Sequence, residues 1–213
     1  METILLQELC SKQITRAQFY KKVETDFSLV PEIIAGTASP KATVRYGCAS
    51  VLMDLSAKYP GKLYPYMERL IGLLDSKHRI LTWNALAIVA HLTVADSQRK
   101  FDAIFDKYYS FLGNEYMVTV ANTVGNSGEI AKNKPYLADR IIAELLKVQN
   151  LRTTPHLTEE CKLVIAQQAI KTFNTLINFT KNKKALLDFA EQHKNSSRDA
   201  LRKEAKMFLK KWQ

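Results

Sequence analysis

Apolar residues recur at every third or fourth position through most of the chain, which is the spacing of one face of an α-helix. In the segment 40–56, PKATVRYGCASVLMDLS, such a face contains Val44, Cys48, Leu52 and Leu55. Only 7 glycines and 6 prolines interrupt 213 residues, which favours long helices joined by short turns over a loop-rich or all-β fold. The pattern therefore predicts an all-α protein.

This helical pattern repeats at a fixed distance along the chain. Ala49 is followed by Ala85 and then by Ala121, each about 36 residues further on and each inside a similar apolar stretch. Ala169 comes about 48 residues after Ala121, and Ala205 about 36 after that. The additional dozen residues fall in the polar stretch VQNLRTTPHLTEE, which predicts an enlarged loop at 149–158.

Each of these helices follows another apolar-periodic segment, so the repeating unit is a helix, a turn and a second helix. Such repeats are typical of an α-solenoid, in which neighbouring hairpins stack and bury a shared core. A small alanine in each second helix lets its partner approach closely. The predicted organisation is an N-terminal cap at 1–26, with Thr15 as a helix N-cap, followed by five repeats at 27–57, 60–93, 96–131, 134–180 and 183–213.

The second-helix pattern resembles that of the HEAT-repeat family. The resemblance is carried by SPKATVRYGCASVLMDL, which contains the pair Val44-Arg45, by SKHRILTWNALAIVAHL, and by first helices with an early proline, as at Pro65 and Pro135. It covers about residues 27–213, although the later repeats lack the Val-Arg pair. The resemblance implies one domain over 1–213, a right-handed α-α superhelix of about five hairpins, whose second helices line a concave face.

The stretch 120–135, VANTVGNSGEIAKNKP, has the composition of either a phosphate-binding loop or a helix end. A phosphate loop leads from a strand into a helix N-terminus, whereas this stretch comes at the end of a second helix in the repeat register. We therefore expect Asn126, Ser127 and Gly128 to form a C-terminal cap and turn, with Pro135 opening the next helix.

Candidate catalytic and metal-binding groups are sparse in the sequence. The four histidines, at 78, 91, 156 and 193, lack the spacing of zinc ligands, and no G-x-S-x-G nucleophile motif occurs. Cys10, Cys48 and Cys161 are odd in number and widely separated, which favours free thiols. We expect no catalytic residue, metal or cofactor, and therefore no enzyme.

The polar face of the second helices is the candidate binding surface. Uncharged amides and a tryptophan suit a recognition groove, whereas the alternative interpretation treats the amides as ordinary solvated residues and Trp83 as part of the core. The predicted partner-binding residues on the concave face are Trp83, Thr119, Asn122, Asn126, Gln167, Lys171 and Asn174.

The positive charge of the chain is concentrated toward its C-terminus. The formal net charge is +10, and residues 156–213 contribute +6 of it, against −1 for 1–40, +4 for 41–110 and +1 for 111–155. The last helix could contact phosphates in a salt-sensitive manner, or its cations could form the solvated face of a terminal cap. The residues of this cationic row are Arg198, Arg202, Lys203, Lys206 and Lys210.

Two functions remain open from the sequence. The first is a non-enzymatic adaptor that binds a protein or peptide on its concave face. The second is a nucleic-acid-binding protein related to the HEAT-like alkylpurine DNA glycosylases, which the chain resembles in length, charge and helical pairing. Those enzymes carry paired Trp and Asp residues on a central helix, whereas Trp83 is followed one turn later by Ala87.

The expected location is the cytoplasm, because no basic N-terminal leader and no apolar run of about 18 residues occurs. The oligomeric state is left open by the sequence.

Overall fold

The computed structural model describes residues 3–213. Within this range all regular structure is helical, apart from one isolated β-bridge between Thr154 and Leu157, and the all-α prediction is confirmed. The chain divides into two compact units, Met1–Asp102 and Ala103–Gln213. Residues 1 and 2 of the predicted N-terminal cap lie outside the described range.

Unit 1 contains seven complete α-helices within its described residues, several of them flanked by short 3-10 turns. They are α1 (Ile4–Cys10), α2 (Arg16–Thr25), α3 (Val30–Gly36), α4 (Ala42–Lys58), α5 (Pro60–Leu63), α6 (Met67–Ile71) and α7 (Arg79–Leu92). A short helix, α8 (Lys100–Ala103), spans the boundary between the units. The helices of unit 2 are α9 (Phe105–Ser110), α10 (Met117–Asn133), α11 (Ala138–Leu146), α12 (Glu159–Leu176), α13 (Lys183–His193) and α14 (Asp199–Trp212).

The core of unit 1 forms where α4 packs against α7, while α3 packs against α4 and α6 against α7. The N-terminal helices α1 and α2 also pack on α4. The approach of α3 to α4 is close: a Cβ added to Gly36 would lie 2.5 Å from Cys48 Sγ. Gly36 therefore cannot be replaced by a larger residue without a shift of one of these helices.

A recurring turn precedes several second helices. The side chain of Ser39, Ser76, Asn114 or Ser196 accepts a hydrogen bond from the backbone N–H two residues later, at the start of α4, α7, α10 or α14. These are local side-chain-to-backbone turns of the kind that Ser and Asn favour.

Two arginines reinforce this turn from within their helices. Arg45 Nη1 donates to the carbonyl of Ser39 at 2.8 Å, and Arg202 Nη1 donates to the carbonyl of Ser196 at 2.8 Å. Arg45 is only 8% exposed, so the arginine of the Val-Arg pair is a structural residue. Arg202 makes the same bond although its repeat lacks the pair.

In unit 2, α10 packs on α12 and α12 packs on α14, while α11 contacts α10 and α12, and α13 contacts α12 and α14. The contacts between α10 and α12 shift toward the C-terminus of both helices at once: Gly125 lies against Gln168, and Gly128 lies against Thr172 and Thr175. Therefore α10 and α12 run parallel and lie close together.

The predicted helix end at Asn126, Ser127 and Gly128 is wrong. Helix α10 continues through these residues to Asn133, and no glycine has a positive φ. Gly128 is buried, and a Cβ added to it would lie 3.7 Å from the side chains of Thr172 and Thr175. Gly125 and Gly128 therefore allow close helix packing and do not end the helix. Residue composition alone does not distinguish these two roles.

Other local predictions divide between confirmed and wrong. Thr15 caps α2 in a full capping box with Gln18, and α12 begins at Glu159 after the N-cap Thr158, as expected. In contrast, the apolar Ile80 near the start of α7 is 41% exposed. Ala121 is only half-buried, whereas Ala49, Ala85, Ala169 and Ala205 are fully buried. The predicted repeat boundaries stay a prediction.

A group of hydrogen bonds centred on the Glu24 carboxylate joins α2 to α4 in unit 1. Glu24 accepts hydrogen bonds from Lys21 and Lys58, both at 2.8 Å, and from the hydroxyls of Tyr20 and Tyr59. The hydrogen bond from Lys21, followed by those from Lys58 and Tyr20, holds the pKa of the Glu24 carboxyl far below its ordinary value of 4.5. The charged form of Glu24 therefore stabilises the folded state.

Substitution at Gly128 distinguishes helix packing from capping. We expect Gly128→Ala to stabilise unit 2 by about 0.5–1 kcal/mol, because alanine favours the helix and its Cβ fits without a clash. Gly128→Leu should destabilise by about 1–3 kcal/mol, because it overpacks the α10–α12 contact. Urea unfolding followed by circular dichroism measures both, and a destabilising Gly128→Ala would restore the cap interpretation.

The Glu24 cluster predicts a pH-dependent contribution to stability. Because the folded-state pKa of Glu24 is depressed, its stabilisation is full above pH 4.5 and is lost progressively as the pH falls below that value. We expect Glu24→Gln to lower the melting temperature at neutral pH and this difference to narrow below pH 4.5. Asp188→Asn, at an exposed position on α13, is the control; an equal loss in both variants, or a constant gap across pH, would contradict the assignment.

Candidate binding surface

Six of the predicted partner-binding residues lie on the parallel helices α10 and α12, and we call the five of them other than Thr119 the amide face. The position of the two helices relative to each other along their axes is fixed by a hydrogen bond in which Thr172 Oγ1 donates to the carbonyl of Val124 at 3.1 Å. That bond joins positions separated by 48 residues, which is the spacing of the predicted repeat register. The amide face consists of Asn122, Asn126, Gln167, Lys171 and Asn174.

The amides of this face are half-buried and three of them make defined hydrogen bonds. Asn122 Nδ2 donates to the carbonyl of Val118 at 2.8 Å. Asn174 Oδ1 accepts from Trp212 Nε1 at 3.0 Å, and Gln167 Oε1 accepts a longer bond from Arg198 Nε at 3.4 Å. These bonds restrict the side chains before any ligand arrives, whereas Lys171 is exposed. Asn126 is turned inward instead, because its Nδ2 is buried and its side chain hydrogen-bonds the buried Tyr108. The face therefore presents the amides of Asn122, Gln167 and Asn174 and one exposed positive charge.

Thr119 does not belong to the exposed surface, contrary to the prediction. It is 2% exposed, and its carbonyl accepts from Thr123 Oγ1 at 3.0 Å. The polar bonds continue inside α10, where Ser127 Oγ donates to the Thr123 carbonyl and Tyr109 donates to Ser127 Oγ. Burial raises the pKa of Tyr109 above its usual range, so this phenol stays neutral. The sequence spacing located Thr119 on a polar row without distinguishing an interior row from an exposed one.

The corresponding positions in unit 1 are largely covered. A Cβ on Gly47 would lie 2.9 Å from Leu9 Cδ2 of α1, and Asp54 forms an ion pair with Arg16 of α2. Trp83 is half-buried on α7. The N-terminal helices α1 and α2 therefore cover part of the face of α4 that contains Gly47 and Asp54.

The cationic row on α14 is partly neutralised at its beginning. Arg198 forms an ion pair with Glu160, and Asp199 pairs with both Arg202 and Lys203, at 2.5 and 2.8 Å. The hydrogen bond from Lys203 is the main cause of the lowered pKa of Asp199. Surface pairs of this kind add little stability, but each carboxylate offsets a charge that an anionic ligand would need.

Toward the end of α14 the cations are exposed. Lys206 and Lys210 have no carboxylate oxygen within 4.0 Å among residues 3–213. The predicted row is thus divided into a paired first turn and an unpaired remainder. The pairing of Arg198 with a residue far away in sequence could not be read from the local charge pattern.

The enlarged loop at 149–158 is tied down and borders a cavity of about 700 Å³. Thr154 Oγ1 donates to the carbonyl of Glu115 at 2.7 Å, and the carbonyl of His156 accepts from Met117 N at 3.2 Å. The His156 ring also stacks on Tyr116 at 4.4 Å between centroids. His156 therefore has a structural contact that its sequence spacing did not reveal.

Charges of both signs line this cavity. They come from Glu115, Glu144, Lys147 and Arg152, and Lys147 pairs with Glu144 at 2.6 Å. With two acids and two bases, the lining selects no single class of charged ligand.

Titratable clusters elsewhere give no metal centre within the described residues. No group of three or more His, Cys, Asp or Glu side chains is placed to hold an ion among residues 3–213. Cys10, Cys48 and Cys161 form no disulfide in this range, and His91 Nδ1 lies 2.9 Å from Ser56 Oγ. In the same range, no helix has both the length and the apolar character needed to cross a bilayer.

Comparison with known proteins supports the architecture. No protein-family model matches the chain, and no curated protein sequence matches it significantly. Among solved structures, the chain is similar to the designed armadillo repeat protein YIII(Dq)4CqI, with a TM-score of 0.62 and 17% identity over 98% of this chain and 92% of that one. It is also similar to an engineered protein solved by the Northeast Structural Genomics Consortium, with a TM-score of 0.54 and 14% identity over 96% and 86%. At these identities the likeness shows the fold alone, and the predicted all-α helical repeat of HEAT/armadillo type is confirmed.

Proposed function

We propose that the protein is a non-enzymatic adaptor that binds a segment of a protein partner on the amide face. The observation that carries this proposal is the placement of five polar side chains on two parallel helices whose level is fixed by the Thr172–Val124 hydrogen bond. Helical-repeat folds commonly present their binding residues on one layer of helices in this way.

The chemistry of the amide face favours recognition of a polypeptide. Each Asn or Gln side chain offers both a donor and an acceptor, which matches the alternating N–H and C=O groups of a main chain. Amides also do not titrate near neutral pH, so they suit binding better than acid–base catalysis. Lys171 adds a single positive charge, which favours a partner segment with an acidic residue at that point.

The cationic row on α14 supports the nucleic-acid alternative only weakly. Arg198, Arg202 and Lys203 already pair with carboxylates, and Arg202 also bonds the turn before α14. Ala87 stands where the resemblance to alkylpurine DNA glycosylases would require an acid.

The adaptor proposal is tested by selecting peptide ligands from a displayed random peptide library and measuring their affinity for variants of the face. Asn122→Arg and Lys171→Glu are preferred because neither side chain contacts another helix in the hydrogen bonds described. We expect each to weaken the selected peptides at least roughly tenfold, the cost of losing one buried charge-assisted or amide hydrogen bond at an interface.

Gln192→Arg provides the matched control, because it introduces the same group at an exposed position of α13. It should leave the affinity unchanged, and circular dichroism should show equal helicity for all variants. Selected peptides that bind Asn122→Arg and Lys171→Glu as tightly as the parent protein would place the binding site elsewhere and refute the proposal.

A further inference from the structure

A second surface of unit 2 lies at the end of the repeats where α12 and α14 finish. Lysines from the α12–α13 turn, from the start of α13 and from the end of α14 meet there with two exposed aromatic residues. We call this surface the lysine edge, and it consists of Tyr136, Phe179, Lys181, Lys183, Lys184, Lys210 and Lys211.

The fold brings these segments together. Helices α13 and α14 pack against each other and are joined by the short connection 194–198, so they form an antiparallel hairpin. At about 1.5 Å rise per residue, the start of α13 lies level with the last turn of α14. Trp212 Nε1 bonds Asn174 near the end of α12, and Thr180 Oγ1 bonds Asp139 in the first turn of α11. The latter bond brings the α12–α13 turn beside the segment that contains Tyr136.

The lysines of this edge lack the acidic partners that several other lysines of unit 2 have. Lys147, Lys162, Lys194 and Lys203 each pair with a nearby Glu or Asp. In contrast, no carboxylate oxygen among residues 3–213 lies within 4.0 Å of the edge lysines on α13, on α14 or in the turn before α13. Lys211 instead lies over the Trp212 ring at 4.6 Å. The positive charge of this edge is therefore available to a ligand.

The start of α13 adds to this positive potential. Its N-cap, Asn182, makes no side-chain capping bond, and its first turn contains lysines but no acid. Lysines beside the positive end of a helix dipole are unfavourable in the free protein. An anion bound there would relieve this repulsion.

The exposed aromatic residues indicate which anion fits. Within residues 3–213, Tyr136 and Phe179 are the aromatic members of the exposed large apolar side chains, at 53% and 37% exposure. Both belong to the lysine edge. Proteins that bind single-stranded nucleic acid combine exposed aromatic rings with cations, because the bases stack on the rings while the cations contact the phosphates. Bases in a duplex are already stacked on one another and therefore do not stack on such rings.

We propose that the lysine edge binds single-stranded nucleic acid, with the lysines on phosphates and Phe179 and Tyr136 on bases. This site is separate from the amide face and does not depend on the adaptor function. Of the predicted cationic row, it includes Lys210 but not the paired arginines.

Fluorescence polarisation with labelled oligothymidylate of about 20 nucleotides tests the proposal, a length that exceeds the usual site sizes. With about four phosphates neutralised, the affinity should fall roughly 50-fold between about 50 and about 200 mM salt. The variant Lys181→Gln, Lys183→Gln, Lys184→Gln should bind at least roughly tenfold more weakly, with a shallower salt dependence.

The matched control is Lys162→Gln, Lys194→Gln, Lys203→Gln, which lowers the net charge equally but removes paired lysines. It should retain the affinity within about twofold. Phe179→Leu keeps an apolar side chain but removes the ring. It should weaken binding of the single strand roughly tenfold while leaving the binding of a blunt duplex unchanged.

Four results would overturn the proposal: no oligothymidylate binding at low salt, equal weakening by the two triple variants, an unchanged affinity in Phe179→Leu, or duplex binding as tight as that of the single strand. Phosphatidylserine vesicles serve as the other anionic probe. Vesicle binding without oligothymidylate binding would assign the edge to a membrane instead.

Discussion

The close contact between α10 and α12 is the constraint on which the rest of unit 2 depends. Gly125 and Gly128 let the two helices approach, and the Thr172–Val124 hydrogen bond fixes their relative level. Because both helices are held in this register, the dozen residues inserted between them cannot be absorbed into either helix. They leave the repeat as the loop at 149–158, which Thr154 and His156 then tie back to the segment before α10. The same register places the amides of the two helices side by side.

Close packing is obtained at the expense of helix propensity. A glycine inside a helix costs roughly 1 kcal/mol relative to alanine, and α10 contains two of them. The contact they permit compensates through dispersion and burial along the α10–α12 contact. Unit 1 uses Gly36 similarly, where α3 approaches Cys48 of α4. Small residues therefore set the spacing of helices in both units, although they occur at different points of the repeat.

The helical fold and the repeat spacing that relates α10 to α12 could be predicted from periodicity, and the capping role of Thr15 from its residue type, because each depends on residues close in sequence or on a repeated distance. Three features were not predictable in this way. Gly128 has the composition of a cap but the environment of a packed helix interior. Thr119 lies on a polar row that faces inward. Arg198 is neutralised by Glu160, which belongs to the preceding repeat pair. The Ser or Asn turn before the second helices was present in the sequence and could have marked their starts.

We propose partner recognition on α10 and α12, the two helices whose relative position is fixed by the Thr172–Val124 hydrogen bond. The most direct test is a residue-resolved nitrogen–proton NMR titration of the protein with a peptide selected by display. The account predicts chemical-shift changes concentrated in residues 118–126 and 167–174, with α11 and α13 unaffected. Changes concentrated on α11 and α13, with an unperturbed amide face, would contradict it.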